Sequence, residues 1–405
     1  MRLYGPLYRK CSVFLFIFLL CSTSRVTWAQ FRISLAELRP LVRHTGITHL
    51  SNGIDVQTPD TRLRVVALRE DVLRVTMARG NSLPEDASWA VLPSSRSSSA
   101  AVVIDASSDR YGFHTRALIV EVDKKTLQIT VRDSAGNILE SDARPVRFDG
   151  DAFRIFKSMP PDEHYFALGD KTGPLDRRNQ AFTLWNTDAY RFQESTDPLY
   201  KSIPYFMTYR AGKCVGILLD NTWRTSFDFG KESAGVYSFG AAAGPLDYYL
   251  FYGPSPKQVV ESYAWLTGAP PLPPLWSLGF QQSRYSYMSQ ARVLEVANRL
   301  RADSIPADAI YLDIDFQDRD RPFTVNKAAF PDLPGLVAQL NAENFHVVAI
   351  TDLHIANAPG ENYAPYDSGI AGDHFVKNPD GSTYVGKVWP GPSVFPEFTR
   401  QQTRD

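Results

Sequence analysis

Three acids crowd the stretch Tyr311-Leu312-Asp313-Ile314-Asp315-Phe316-Gln317-Asp318, in and just after an apolar run. The run opens at Ala309-Ile310 and reads as a buried strand whose carboxyl end carries polar groups. Asp313 and Asp315 are two apart, so on a strand they face the same way, with Ile314 opposed. Burying two carboxylates is costly unless they are hydrogen-bonded, paired or left wet. Two arrangements satisfy such a pair. The hydroxyls of a bound sugar can donate to it, or the acids can cap the next segment in a solvated loop. At the carboxyl end of a strand in an α/β barrel, such side chains face the active site. The neighbouring elements therefore decide what this stretch can do.

Those neighbours alternate. Leu275-Trp276-Ser277-Leu278-Gly279-Phe280 predicts a strand. Gln290 to Leu300 predicts an amphipathic helix with Val293, Val296, Ala297 and Leu300 on its apolar face. The strand 309–314 follows, then a helix from Leu333 to Asn341 and a strand from Phe345 to Ile350. Alternating strand and helix implies a parallel sheet with right-handed crossovers. The spacing fits the opening of a (β/α)8 barrel. A whole barrel needs about 250 residues, whereas 132 follow Pro273, and 376–405 read as a long loop. The expectation is about three barrel strands, from a protein that continues past Asp405.

Ahead of this region the period is that of strands. Leu63 to Leu68, Val72 to Met77, Leu118 to Val122 and Thr126 to Val131 are short, β-branched and bounded by turn residues. Asp133-Ser134-Ala135-Gly136-Asn137 reads as a hairpin turn. Strands at this spacing predict an antiparallel sandwich. Gly253-Pro254-Ser255-Pro256 opens a helix from Lys257 to Leu266, and Pro270-Pro271-Leu272-Pro273-Pro274 forms a stiff connector. The domains expected are a sandwich over 30–268 and an incomplete barrel over 269–405. Gly169-Asp170-Lys171-Thr172-Gly173-Pro174 lacks the spacing and strand–helix setting of a phosphate loop. The polar and aromatic loop around Leu184 to Tyr190 suits either a sugar or ordinary packing against a domain face.

Composition narrows the classes. The 405 residues are 44% hydrophobic and 21% charged, enough for a real core. A formal charge of -1 and the lack of a basic block give nucleic acid no footing. Arg2, Arg9 and Lys10 precede the apolar run Ser12 to Leu20, too short for the roughly 20 residues of a membrane helix. With Val26-Thr27-Trp28-Ala29 before Gln30, residues 1–29 read as a signal peptide. The expected location is secreted or periplasmic, with no membrane attachment after cleavage. Cys11 and Cys21 leave with that segment. Cys214 remains as a small core residue rather than a disulfide partner. His residues lack metal-ligand spacing, so no metal site is expected. Oligomeric state is not legible.

Taken in order, several of these segments resemble glycoside hydrolase family 31, the α-glucosidase and α-xylosidase group. The segments are Gly169 to Leu175, Leu184-Trp185-Asn186-Thr187-Asp188, Asp197-Pro198-Leu199-Tyr200-Lys201-Ser202-Ile203-Pro204, Ser283-Arg284-Tyr285-Ser286-Tyr287, Asp313-Ile314-Asp315 and Val388-Trp389-Pro390-Gly391. The likeness is strong over 160–405 and loose over 30–160. It implies a galactose-mutarotase-like β-sandwich followed by the first part of a catalytic (β/α)8 TIM barrel. It also implies retaining hydrolysis of α-linked glucosides or xylosides, with an oligosaccharide or glycoside as substrate.

Residue by residue, the resemblance implies that Asp188 is the acid a sandwich loop sends into the sugar pocket. Tyr285 and Trp389 would wall the subsite for the non-reducing sugar. Asp313 would bond that sugar's outer hydroxyls, with Ile314 and Ile350 in the same subsite. Asp315 and Asp318 would support the fold, Arg284 would position neighbouring acids, and His354 would line the mouth. Leu353 stands where many relatives have Pro. Retaining hydrolysis, the chemistry the resemblance implies, needs two carboxyl groups about 5–5.5 Å apart and no cofactor. The family's nucleophile lies in an Asp-Met-Asn-Glu-like segment on barrel strand four, which does not occur here. No catalytic residue is therefore assigned, both carboxyls are expected beyond Asp405, and these 405 residues alone are expected to be inactive. The alternatives are a non-catalytic carbohydrate-binding protein with a vestigial half-barrel and a sandwich-only interaction module.

Overall fold

The computed structural model describes residues 46–405. The expected signal peptide lies outside the described residues. The chain divides between Ala269 and Pro270 into two compact units.

The first unit is built from alternating segments such as Thr61–Arg69, where Leu63, Val65 and Ala67 are buried and Arg62 and Arg64 lie between them, half-buried. Such strands pair into two antiparallel sheets. One runs in space through Gly46–Leu50, Gly53–Gln57, Thr61–Arg69, Val72–Arg79, Leu246–Gly253, Lys213–Leu219, Ser202–Arg210 and His164–Gly169. The other runs through Ala181–Leu184, Thr225–Phe229, Val236–Ala241, Ala152–Ser158, Ile138–Asp149, Ile129–Asp133, Leu118–Asp123, Arg110–His114 and Val103–Ala106. One core takes Val65, Phe206 and Leu250 from the first sheet and Val120, Ile155 and Phe239 from the second.

The first sheet is also covered by the helix Pro256–Thr267, whose Val259 and Leu266 join Tyr205, Leu218 and Phe251. Ser255 caps this helix by accepting from the Gln258 N–H. The approach is close enough that a side chain at Gly216 would meet Val259 at 2.7 Å. The strand expected over Thr126 to Val131 begins only at Ile129. Asp123 accepts from the N–H groups of Lys125 and Thr126, both at 2.8 Å, and turns that stretch instead.

The second unit contains a parallel sheet ordered Gln281–Gln282, Ala309–Leu312, His346–Ala349. The helices Gln290–Ala302 and Leu333–Ala342 link its strands. Ser289 and Asp332 cap them by accepting from Arg292 N–H and Gly335 N–H. Val293, Ala297, Leu312, Phe330, Leu336 and Leu340 fill a core of the unit's own.

Three expectations need correction here. Leu275–Leu278 is a 3-10 turn, not a strand, because the Pro274 carbonyl accepts from the Ser277 N–H at 3.0 Å and its hydroxyl at 2.7 Å. The strand from Ala309 ends at Leu312 rather than 314. The segment 376–405 is not one long loop: Gly386–Val388 and Gly391–Val394 join Ile355–Ala356 in a small antiparallel sheet over Tyr363 and Phe375. Strands of two to four residues fall below the length at which alternation shows in a sequence. Among the described residues no helix is long and apolar enough to cross a membrane.

Candidate functional site

The three parallel strands all finish on the same side, and the polar groups gather just past their ends. Asp313 follows Leu312 directly. Its Oδ1 accepts from the Ile314 N–H at 2.8 Å and caps a 3-10 turn over Ile314–Phe316. That turn ends the strand, so Asp313 and Asp315 do not share a strand face as the spacing suggested. Of the two arrangements open to Asp313, capping is present, and it engages one carboxylate oxygen. The acid is half-buried and its other oxygen is left for further bonding. Ile314 is buried.

Ile350 lies at the end of the adjacent strand, its N–H donating to the Leu312 carbonyl at 2.9 Å. Gln317 is 2% exposed, and its amide reaches the Ile350 carbonyl at 3.4 Å. Trp389 and Pro390 form the two-residue turn between Val388 and Gly391, which holds the indole out, about half exposed. His354 is buried and meets Trp389 edge-on, with ring centroids 5.6 Å apart. Tyr285 is exposed in the loop after the first strand. Arg284 is exposed and pairs with no acid among the described residues, so the positioning role expected of it is not seen. Asp318 pairs with Arg319 at 3.2 Å.

A second set of groups joins Asp315 and His354, named from the sequence, to Ser286, Gln317 and Asp352, to which sequence reasoning assigned no role. Ser286 Oγ, Asp315 Oδ2, Gln317 Oε1, Asp352 Oδ2 and His354 Nε2 are buried atoms with no protein partner. A buried unsatisfied polar group costs about 1–3 kcal/mol. Each strand of the parallel sheet is followed by at least one of them. No sequence signal marked Gln317, which stands between Phe316 and the charged run Asp318-Arg319-Asp320-Arg321. Ser286 gave no signal.

Asp188 belongs to the sandwich, in the loop between Ala181–Leu184 and Ser202–Arg210, and is exposed. The loop is stitched in place from below. Lys171, its side chain 2% exposed, donates to Asp197 Oδ1 at 2.5 Å and to the Thr183 carbonyl at 2.6 Å. Asp197 Oδ2 accepts from the Thr183 N–H at 2.5 Å, and Asn186 Oδ1 from the Ser202 N–H at 3.0 Å. Thr172 donates to the Glu194 carbonyl at 2.5 Å. The Gly169 to Leu175 segment therefore spends its lysine on this loop, consistent with its lack of phosphate-loop spacing.

The chain is thus a β-sandwich followed by the opening of a parallel barrel, with polar groups at the strands' carboxyl ends. Residues 62–228 match the glycosyl hydrolase 31 N-terminal galactose mutarotase-like domain, and residues 270–405 match the glycosyl hydrolases family 31 TIM-barrel domain. Alpha-glucosidase 2 of Bacillus thermoamyloliquefaciens is 42% identical over 289 residues, which are 70% of this chain and 36% of that protein. The α-glucosidase of Saccharolobus solfataricus is 33% identical over 256 residues, 63% of this chain and 36% of that protein. Among solved structures, a Flavobacterium johnsoniae family 31 dextranase complexed with isomaltotriose superposes with a TM-score of 0.83 at 31% identity. It covers 90% of this chain and 45% of that one. The chain belongs to glycoside hydrolase family 31. It spans about a third of the length of these two glucosidases.

Proposed function

We propose that this chain supplies the substrate-recognising part of an exported retaining α-glycosidase acting on α-linked glucosides or xylosides of oligosaccharides. The observation that carries this reading is the gathering of Asp313 and the unpartnered buried atoms past the ends of three parallel strands. A sugar ring presents hydroxyls to such groups and C–H faces to aromatic walls, here Tyr285 and Trp389. Ile314 and Ile350 give the pocket an apolar side. The α-glucosidase relatives and the isomaltotriose bound by the dextranase support the sugar class.

In this reading Asp313 binds and does not attack. Its Oδ1 is held by the cap, and retaining hydrolysis needs a second carboxyl about 5–5.5 Å away to protonate the leaving group. The nucleophile and acid/base are proposed to lie outside these 405 residues. An assay of the 405-residue chain with an aryl α-glucoside is expected to show no turnover. Turnover that Asp313→Asn abolishes would instead make Asp313 a catalytic acid. Export rests on the residue 1–29 pattern. Mass spectrometry of the protein recovered from its native cells is expected to find Gln30 at the mature terminus, and retention of residues 1–29 would remove that part.

A further inference from the structure

The interior of the sandwich holds more acid than base. Glu140 and Asp142 come from the strand Ile138–Asp149, Glu163 precedes the strand His164–Gly169, and Lys157 comes from Ala152–Ser158. Glu140, Glu163 and Lys157 are 2%, 3% and 1% exposed. Lys157 is taken by Asp142 at 2.7 Å and leans on the Tyr248 hydroxyl at 3.3 Å. Glu140 and Glu163 are left with tyrosines: Tyr237 donates to Glu140 and Tyr165 to Glu163, both at 2.5 Å. The two phenol rings touch edge to face at 5.3 Å between centroids.

Other charges reach only the margin. Arg210 stands 3.8 Å from Glu163 and is partly exposed. Arg178 spends one guanidinium nitrogen on the carbonyls of Pro160 and Glu163. Asp162 adds a further negative charge beside Glu163. Glu140 thus shares one buried ammonium with Asp142, and Glu163 has only Arg210 and Arg178 at its margin as counter-charges. Among the described residues no group of three His, Cys, Asp or Glu could hold a metal ion. The remaining means of compensation is a proton.

We propose that Glu140 and Glu163 hold one proton between them at neutral pH, so that the sandwich interior is a pH-sensitive element that weakens as the proton is lost. Burial first, and then the Glu163 charge, push Glu140 up to about 8 from an ordinary 4.5, and Glu163 is raised as well. The proton has a route out. A cleft of about 320 Å³ at one end of the sandwich is lined by Glu163, Thr208, Arg210 and Lys213.

The sign follows from linkage. The folded state keeps a proton that the unfolded chain releases near 4.5, so unfolding releases it between about pH 4.5 and 8, and stability falls as pH rises through that window. Urea unfolding of the 405-residue chain, followed from pH 5 to 9, tests this. The unfolding constant is expected to rise about tenfold per pH unit inside the window from this proton alone. Glu140→Gln is expected to flatten the slope by that amount, and Glu163→Gln to move the upper end of the window down. A parent without the slope, or a Glu140→Gln protein that keeps it, overturns the proposal. Should Glu140→Gln fail to fold, infrared spectroscopy of the parent decides. The carbonyl band of an un-ionised carboxyl at pH 7, vanishing as pH passes 8, is expected, and its absence at pH 7 is contrary.

Discussion

In the sandwich, several buried charges are met by an opposite charge. Arg74 reaches Asp247 at 2.6 Å, Lys157 reaches Asp142 at 2.7 Å and Lys171 reaches Asp197 at 2.5 Å. Unpartnered atoms there include the Tyr205 and Tyr249 hydroxyls on separate strands and Glu140 Oε1 on a third. In the barrel opening the corresponding ion pairs, Arg292–Glu295, Arg299–Asp303 and Arg321–Glu361, lie near the surface. Five of its buried polar atoms, on Ser286, Asp315, Gln317, Asp352 and His354, are instead unpartnered and follow the carboxyl ends of parallel strands. The difference separates two uses of polarity. Paired groups fix the fold, and the rule that a broken buried pair is costly applies to them. Gathered, unpaired groups cost stability, and in the proposed reading that cost serves recognition.

The contrast is most easily broken in the sandwich. Lys157→Met leaves Asp142 beside Glu140 with no ammonium, and a loss of about 3–5 kcal/mol in urea unfolding is expected. A change below about 1 kcal/mol would show that the sandwich tolerates orphaned charge as the barrel opening does. Lys171→Met removes both bonds of a buried ammonium beneath the Asp188 loop. A loss of about 1–3 kcal/mol is expected, with faster limited proteolysis within residues 185–200. In the barrel opening the expectation reverses. Asp313→Asn keeps a capping oxygen, so the change in stability stays within about 1 kcal/mol. A larger loss would move Asp313 from the recognising groups to the fold-supporting ones.

Periodicity was enough for much of the architecture. Val293 and Ala297 are buried on the helix face expected of them, and the hairpin at Asp133 is closed by that acid, which accepts from the Ala135 and Asn137 N–H groups. Burial would raise Asp133, but the Lys213 ammonium and Asn137 hold it at about 2. What periodicity could not show was local hydrogen bonding. The Asp313 cap ends a strand two residues early, the Pro274 carbonyl converts an apolar run into a 3-10 turn, and the Trp389 hairpin rests on strands too short to alternate. Asp313 and Trp389 were readable as candidates because their segments resemble a family. Ser286, Gln317 and Asp352 were not, since an unpartnered atom is a property of burial and not of residue type.

The central claim is that Asp313 and its neighbours recognise a sugar. Saturation-transfer NMR of the 405-residue chain with methyl α-glucoside tests it most directly, because it detects weak binding without requiring turnover. Transfer to the glucoside is expected in the parent and is expected to vanish in Asp313→Asn while the fold is kept. Equal transfer in both proteins, or none in the parent, would contradict the claim.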